Sequence, residues 1–171
     1  MPIELVVVEN HFHYKKHSMK SLYTFIILFT TLSVFGQTEN TNTNYDEELA
    51  TKLGADDYGM KSYVFVILKT GSNESTDKEL KNGAFQGHMK NINRLVEENK
   101  LIVAGPFGKN EDSFRGLFIL NVRTVEEARE LLDTDPAIKA KYLKAELYNW
   151  YGSAALSEYL KASDKVWKVK P

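Results

Sequence analysis

No cysteine occurs in the 171 residues, and that one absence removes thiol nucleophiles, thiolate zinc or iron–sulfur ligation, disulfides and a lipid-modified N-terminal cysteine. A surplus of one charge is also missing. Lys and Arg number 22 against 23 Asp and Glu, for a net charge of −1, so there is no electrostatic footprint for nucleic acid or an anionic membrane surface. Four prolines and ten glycines exclude collagen and Pro/Gly-rich low-complexity chains. What is present, 43% apolar, 12% aromatic and 26% charged residues, is globular composition for one domain with its own core.

The longest apolar run is Leu22–Phe35, LYTFIILFTTLSVF. Met19-Lys20-Ser21 precedes it, Gly36-Gln37 follows it, and the run holds three Thr and one Ser. A spanning helix needs about 20 apolar residues, so residues 1–36 read as a secretory signal peptide with cleavage after Gly36. Met19 then reads as the start of translation. His11, His13 and His17 invite a metal assignment, but they lie upstream of that start or are removed with the signal. Cleavage removes three lysines and two glutamates and leaves a net charge of −2. The expected location is the periplasm or the extracellular space, with no stable membrane anchor after processing.

Residues 37–60 read as a polar linker followed by a short helix, in which Tyr45, Leu49 and Leu53 recur every fourth residue before Gly54. Ser62–Lys69 is apolar at both parities and predicts a strand covered on both faces. Leu80, Ala84, His88, Ile92, Leu95 and Val96 predict an amphipathic helix over about 77–99. Strands are predicted at 101–104 and 116–122, with a tight turn at Gly105–Gly108 between them. Thr124 and Glu127 form a capping box for a second helix. Asp135-Pro136 opens a short turn or helix, and Leu143–Trp150 alternates like a half-exposed strand. This βαββαβ order predicts an α+β, ferredoxin-like domain over 61–151, with two helices on one face of an antiparallel sheet. Residues 152–171 form a C-terminal extension with helical spacing at Leu156, Tyr159 and Leu160. The apolar open face of the sheet calls for a cover, and a second copy of the chain is the economical one.

Gly87-His88-Met89, Leu101 through Phe107, Arg115-Gly116, Val125-Glu126-Glu127-Ala128 and Asp135-Pro136-Ala137 resemble the successive motifs of the YCII-related (YciI-like) proteins, over about Lys61 to Trp150. The resemblance implies a dimeric α/β barrel of two ferredoxin-like protomers, with His88 and Asp135 as the proposed catalytic pair. A characterised relative of this type is a cofactor-free dehydrochlorinase acting on a hydroxylated aromatic. The signal, the helix before the domain and the C-terminal extension set this chain apart from the shorter members.

The residues themselves leave alternatives open. His88 is the one histidine outside residues 1–36, and an imidazole exchanges protons near neutrality; a core-edge histidine bonded to a backbone carbonyl fits the same pattern. Asp135 suits an orienting carboxylate and equally a cap before proline. Arg115 is a candidate for holding a substrate carboxylate or phenolate, with surface solvation as the alternative. Phe107 is a candidate pocket wall. No cofactor and no transition-metal site are expected, while an all-carboxylate Mg²⁺ or Ca²⁺ site stays open. Two functions follow: a cofactor-independent lyase, isomerase or dehydrochlorinase acting on a small organic substrate, or a non-catalytic binding or stress-related module of the cell envelope. The expected partners are a small molecule and a second copy of the chain.

Overall fold

The computed structural model describes residues 42–163 and 165–169, so the signal, its cleavage site and the alternative start lie outside the described residues. The chain divides after Tyr45, and the unit beginning at Asp46 carries the fold. Helix α1, Glu47–Leu53, is capped by the Asp46 side chain on the Leu49 N–H and stops at Gly54, whose φ of 71° is the left-handed conformation glycine tolerates. Strand β1 spans Met60–Thr70, α2 Lys78–Glu97, β2 Leu101–Pro106, β3 Phe114–Leu120, α3 Val125–Leu132, α4 Pro136–Lys139 and β4 Leu143–Ser153.

The four strands form one antiparallel sheet in the order β2-β3-β1-β4, consistent with a ferredoxin-like arrangement. Register puts Val64 opposite Leu120 and Val66 opposite Phe118. These residues, with Leu68 and Leu143, meet Leu95 of α2, Ala128 and Leu132 of α3 and Ala137 of α4 in a single core, which is the face the helices cover. On the opposite parity Phe65, Ile67, Leu117 and Ile119 are half-buried. Among the described residues the first and third strands are therefore fully covered on one face only. Tyr63 is the exception. Its ring lies 5.5 Å from Trp150, its hydroxyl donates to the Ser153 carbonyl at 2.8 Å, and it is fully buried.

Several boundaries differ from the sequence reading for physical reasons. Strand β2 continues through Pro106 instead of ending at Ala104; it is an edge strand, where a missing N–H costs no ladder bond. Strand β3 starts two residues early and ends at Leu120, because a bulge between Leu68 and Lys69 lets Phe114 pair with Lys69. The stripe of α2 holds at His88 and Leu95, with Ile92 and Val96 packed on the core, but it starts later than predicted. Leu80 is 65% exposed, and the buried positions are His88, Asn91 and Leu95. After β4 the chain forms a 3-10 helix, Ala154–Tyr159, and one helical turn, α5, Leu160–Ser163, rather than a continuous third helix.

Candidate functional site

Asp135 ends the connection from α3 and is the N-cap of α4. Its Oδ1 accepts the Ala137 N–H at 2.9 Å and the Ile138 N–H at 3.3 Å, the expected use of an Asp before a Pro at the first helical position. Its other oxygen faces α2. Oδ2 lies 2.7 Å from His88 Nδ1 and 3.4 Å from Asn91 Nδ2. The cap and the histidine partner are thus one carboxylate with its two oxygens divided between the roles. The residue is 0% exposed, and every neighbour is a donor, as an ionised carboxylate requires. Burial pushes the Asp135 carboxyl upward, but the hydrogen bond and charge of His88 and the N–H groups of Ala137 and Ile138 outweigh it and hold the group below its ordinary value.

α2 and α4 can approach this closely because residue 87 is glycine. A Cβ there would stand 2.6 Å from Pro136 Cγ, well inside van der Waals contact. One helical step later, His88 projects beneath the helix layer. Its ring stacks on Phe118 of β3 at 5.9 Å and meets the edge of Phe85 at 6.1 Å, and Phe85 packs in turn on Tyr142. The carboxylate at Nδ1 fixes that nitrogen as the N–H donor. Among the described residues no fully buried side-chain nitrogen or oxygen lacks a partner, and Nε2 has none, so Nε2 reaches solvent through the 11% of the side chain that is exposed.

Behind the pair stands a polar network that the sequence reading missed. The Asn91 amide oxygen accepts from Arg94 Nη2 at 2.9 Å and lies 2.9 Å from the Thr134 hydroxyl. Arg94 also reaches Thr134 and clasps both oxygens of Glu98. With its oxygen so occupied, the Asn91 amide presents its NH₂ to Asp135. The signal was the i, i+3 spacing from His88 to Asn91, which puts both on one helix face.

Arg115 and Phe107 stand apart from this group. Arg115 is exposed and donates from Nε to the Thr70 hydroxyl at 2.7 Å, while the Phe107 ring packs on Phe114 at 5.6 Å and is 39% exposed. Neither is joined to His88 or Asp135 by a hydrogen bond, ion pair or ring contact. Two clefts, of about 480 and 550 Å³, are lined by Arg129, Lys141 and β4 in one case and by Arg123, Thr124 and Tyr151 in the other. His88, Asp135 and Phe107 line neither. Among the described residues no three His, Asp or Glu side chains converge as metal ligands do.

An antiparallel four-stranded α/β domain, with a buried His–Asp pair between its first long helix and an Asp-Pro turn, is the class this geometry defines. The chain belongs to the family of YCII-related domains, which matches residues 63–150. It is similar to a solved structure, 5-chloro-2-hydroxyhydroquinone dehydrochlorinase (TftG) from Burkholderia phenoliruptrix AC1100 in complex with 2,5-dihydroxybenzoquinone, at 19% identity over 51% of this chain and 92% of that one, with a TM-score of 0.38. No curated protein matches.

Proposed function

We propose that this protein is a cofactor-independent acid–base enzyme of the lyase, isomerase or dehydrochlorinase type, with His88 as the proton-transferring group and Asp135 as its orienting partner. The observation that carries the reading is the 2.7 Å contact at Nδ1 combined with a solvent-reaching Nε2 that has no protein partner. A carboxylate at one imidazole nitrogen fixes the tautomer and stabilises the imidazolium. The neutral ring then offers the Nε2 lone pair as a base, and the protonated ring returns the proton as an acid. The substrate is a small organic molecule with an acidic C–H or O–H, brought against the exposed Nε2 edge of the ring.

The test is a panel of small activated carbon acids and halogenated hydroxyaromatics in D₂O, read by NMR for solvent deuterium incorporation and by ion chromatography for chloride release. Wild-type protein is expected to turn over at least one compound, and His88→Ala to lose about 10²-fold or more of that rate, the usual size of an acid–base contribution. Undiminished turnover in His88→Ala would remove the role assigned to it.

A second reading, a small-molecule-binding module without turnover, draws on the packing of the ring. His88 is only 8% exposed and lies between Phe118 and Phe85, and it lines neither of the two clefts. The same panel separates the readings, since binding without exchange or chloride release favours the module.

The half-buried Phe65, Ile67, Leu117 and Ile119 support a homodimer closed through the open sheet faces, because soluble monomers avoid a contiguous apolar patch of this kind. The Leu22–Phe35 block supports export and action in the periplasm or outside the cell. Intact mass of the secreted product is expected to begin at Gln37.

A further inference from the structure

The geometry points to a binding site for a small amphipathic organic anion in the cleft between α3, α4 and β4, with its oxyanion head held by Arg129 and Lys141 and its apolar body laid along β4. The cleft encloses about 480 Å³, within the range of small-molecule sites. Leu143, Ala145 and Leu147 line one wall, with Ile138 and Leu132 opposite. Alternate residues of a strand put these three side chains on a rail of about 13 Å, enough for an eight-carbon chain or a substituted ring.

The cations in the lining favour an anion. Arg129 and Lys141 line the cleft and neither makes an ion pair or side-chain hydrogen bond, whereas Lys144, also in the lining, is engaged by Glu146 at 3.3 Å. Asp133 is the one carboxylate in the lining, so the uncommitted charge is positive on balance. Thr70, also in the lining, accepts from Arg115 Nε at 2.7 Å.

Lys141 is held in place at a conformational cost. Its φ is 59°, the left-handed region that glycine or asparagine occupies more cheaply. The Gly71 and Asn73 N–H groups bond the carbonyls of Tyr142 and Lys141 at 2.9 and 3.0 Å, and the Asn73 amide bonds the Ala140 carbonyl at 2.7 Å. A Cβ on Gly71 would stand 2.0 Å from the Lys141 carbonyl oxygen. The two loops are thus clamped together, and their rigid junction presents a lysine where a cheaper residue would make the turn. A strained backbone that displays an uncommitted cation over an apolar wall is a reason to look for an anion. Neither His88 nor Asp135 lines the cleft, so this site stands or falls separately from the acid–base reading.

The experiment uses octanoate as probe, with octanol, octylamine and inorganic phosphate as comparators, read by calorimetry and by amide chemical-shift changes in the full mature chain. Octanoate is expected to shift the amides of Ile138, Leu143 and Leu147 and to bind more tightly than any comparator. Lys141→Gly removes the ammonium while easing the turn, and Arg129→Gln removes the guanidinium. Each is expected to weaken octanoate by about tenfold, the loss of one charge-assisted hydrogen bond, while octanol binding stays the same. Lys141→Gly should unfold at or above the wild-type temperature, which separates lost binding from lost fold. Absence of octanoate binding, binding unchanged in both variants, phosphate binding as tight as octanoate, or tighter binding of octylamine through Asp133 would each overturn the assignment.

Discussion

On the helix side of the sheet Asp135 is fully buried and each of its oxygens has two donors, whereas on the other side Phe65, Ile67, Leu117 and Ile119 stay half-open. The polar interior is completed entirely by its own chain. The apolar exterior, among the described residues, is not. A buried unpaired carboxylate costs several kcal/mol, while a half-exposed aliphatic side chain costs far less. The chain therefore closes every hydrogen bond around Asp135 by itself, while the described residues leave this sheet face half-exposed. The charges follow the same division. On the open side Lys69 and Glu146 pair at 3.0 Å with about a quarter of each side chain exposed, and Lys69 holds the Glu146 carboxyl below its ordinary value. Solvent screens that pair, while no solvent reaches Asp135.

The largest effect is expected from Asp135→Ala, which removes the α4 cap and leaves the His88 and Asn91 donors facing an apolar side chain. The expected loss is about 3 kcal/mol in urea unfolding. Asp135→Asn keeps an oxygen for the Ala137 and Ile138 N–H groups and should lose less, which separates capping from charge. Because the folded carboxyl titrates below its ordinary value of 3.8, the unfolded chain binds more protons in acid. The stabilisation is complete above about pH 4–5 and drains away as pH falls through the lower folded value. Wild type and Asp135→Asn should therefore converge in stability below that window. A constant gap down to pH 2 would show that Asp135 stabilises as a cap alone.

The opposite face is broken by Phe65→Lys. In a sheet-to-sheet homodimer a central cation on both copies should weaken association by about 2 kcal/mol, roughly thirtyfold, while the single chain loses little because Phe65 is already half-exposed. Sedimentation across a concentration series reads this directly. A wild-type chain that sediments as a monomer at all concentrations would leave the open face needing a different cover.

How much of this was legible in the sequence follows from which interactions are periodic. Alternation and the i, i+4 stripe placed all four strands and both main helices, because core burial repeats with the backbone. His88 and Asp135 could be named as candidates, but their 2.7 Å contact depends on a helix and a turn 47 residues apart, and nothing local encodes it. The Gly87 approach was equally hidden. Glycine inside a helix reads as a weak point until Pro136 is seen against it. Arg115 and Phe107 belong to the motifs, yet they bond or pack on Thr70 and Phe114 and not on His88 or Asp135, a choice of partner that no local pattern encodes.

Gly87→Ala tests how closely α2 and α4 must approach on the helix side. Alanine favours the helix by about 1 kcal/mol, but its Cβ meets Pro136 and overpacking costs about 1–3 kcal/mol. The net result should be a loss of about 1 kcal/mol and a longer His88–Asp135 separation, visible as a shift in the His88 ring resonances. A gain in stability with unchanged ring resonances would mean that Pro136 yields and the spacing does not depend on Gly87.

The smallest effect tests where the self-completed network ends. Arg94 grips Glu98 on the surface and, with its other nitrogen, Asn91 and Thr134 further in. The Glu98 pair is an exposed i, i+4 contact with side chains 41% and 45% accessible, so Glu98→Gln should cost only about 0.3–0.5 kcal/mol and lose that cost in high salt. The inner contacts answer to different physics. Asn91 is 7% exposed and its amide is oriented by Arg94 and Thr134, so Arg94→Met should lower stability by more than Glu98→Gln and should do so at any ionic strength. If both variants cost the same and salt erases both, Arg94 is a surface residue throughout and the network supporting Asp135 ends at Asn91.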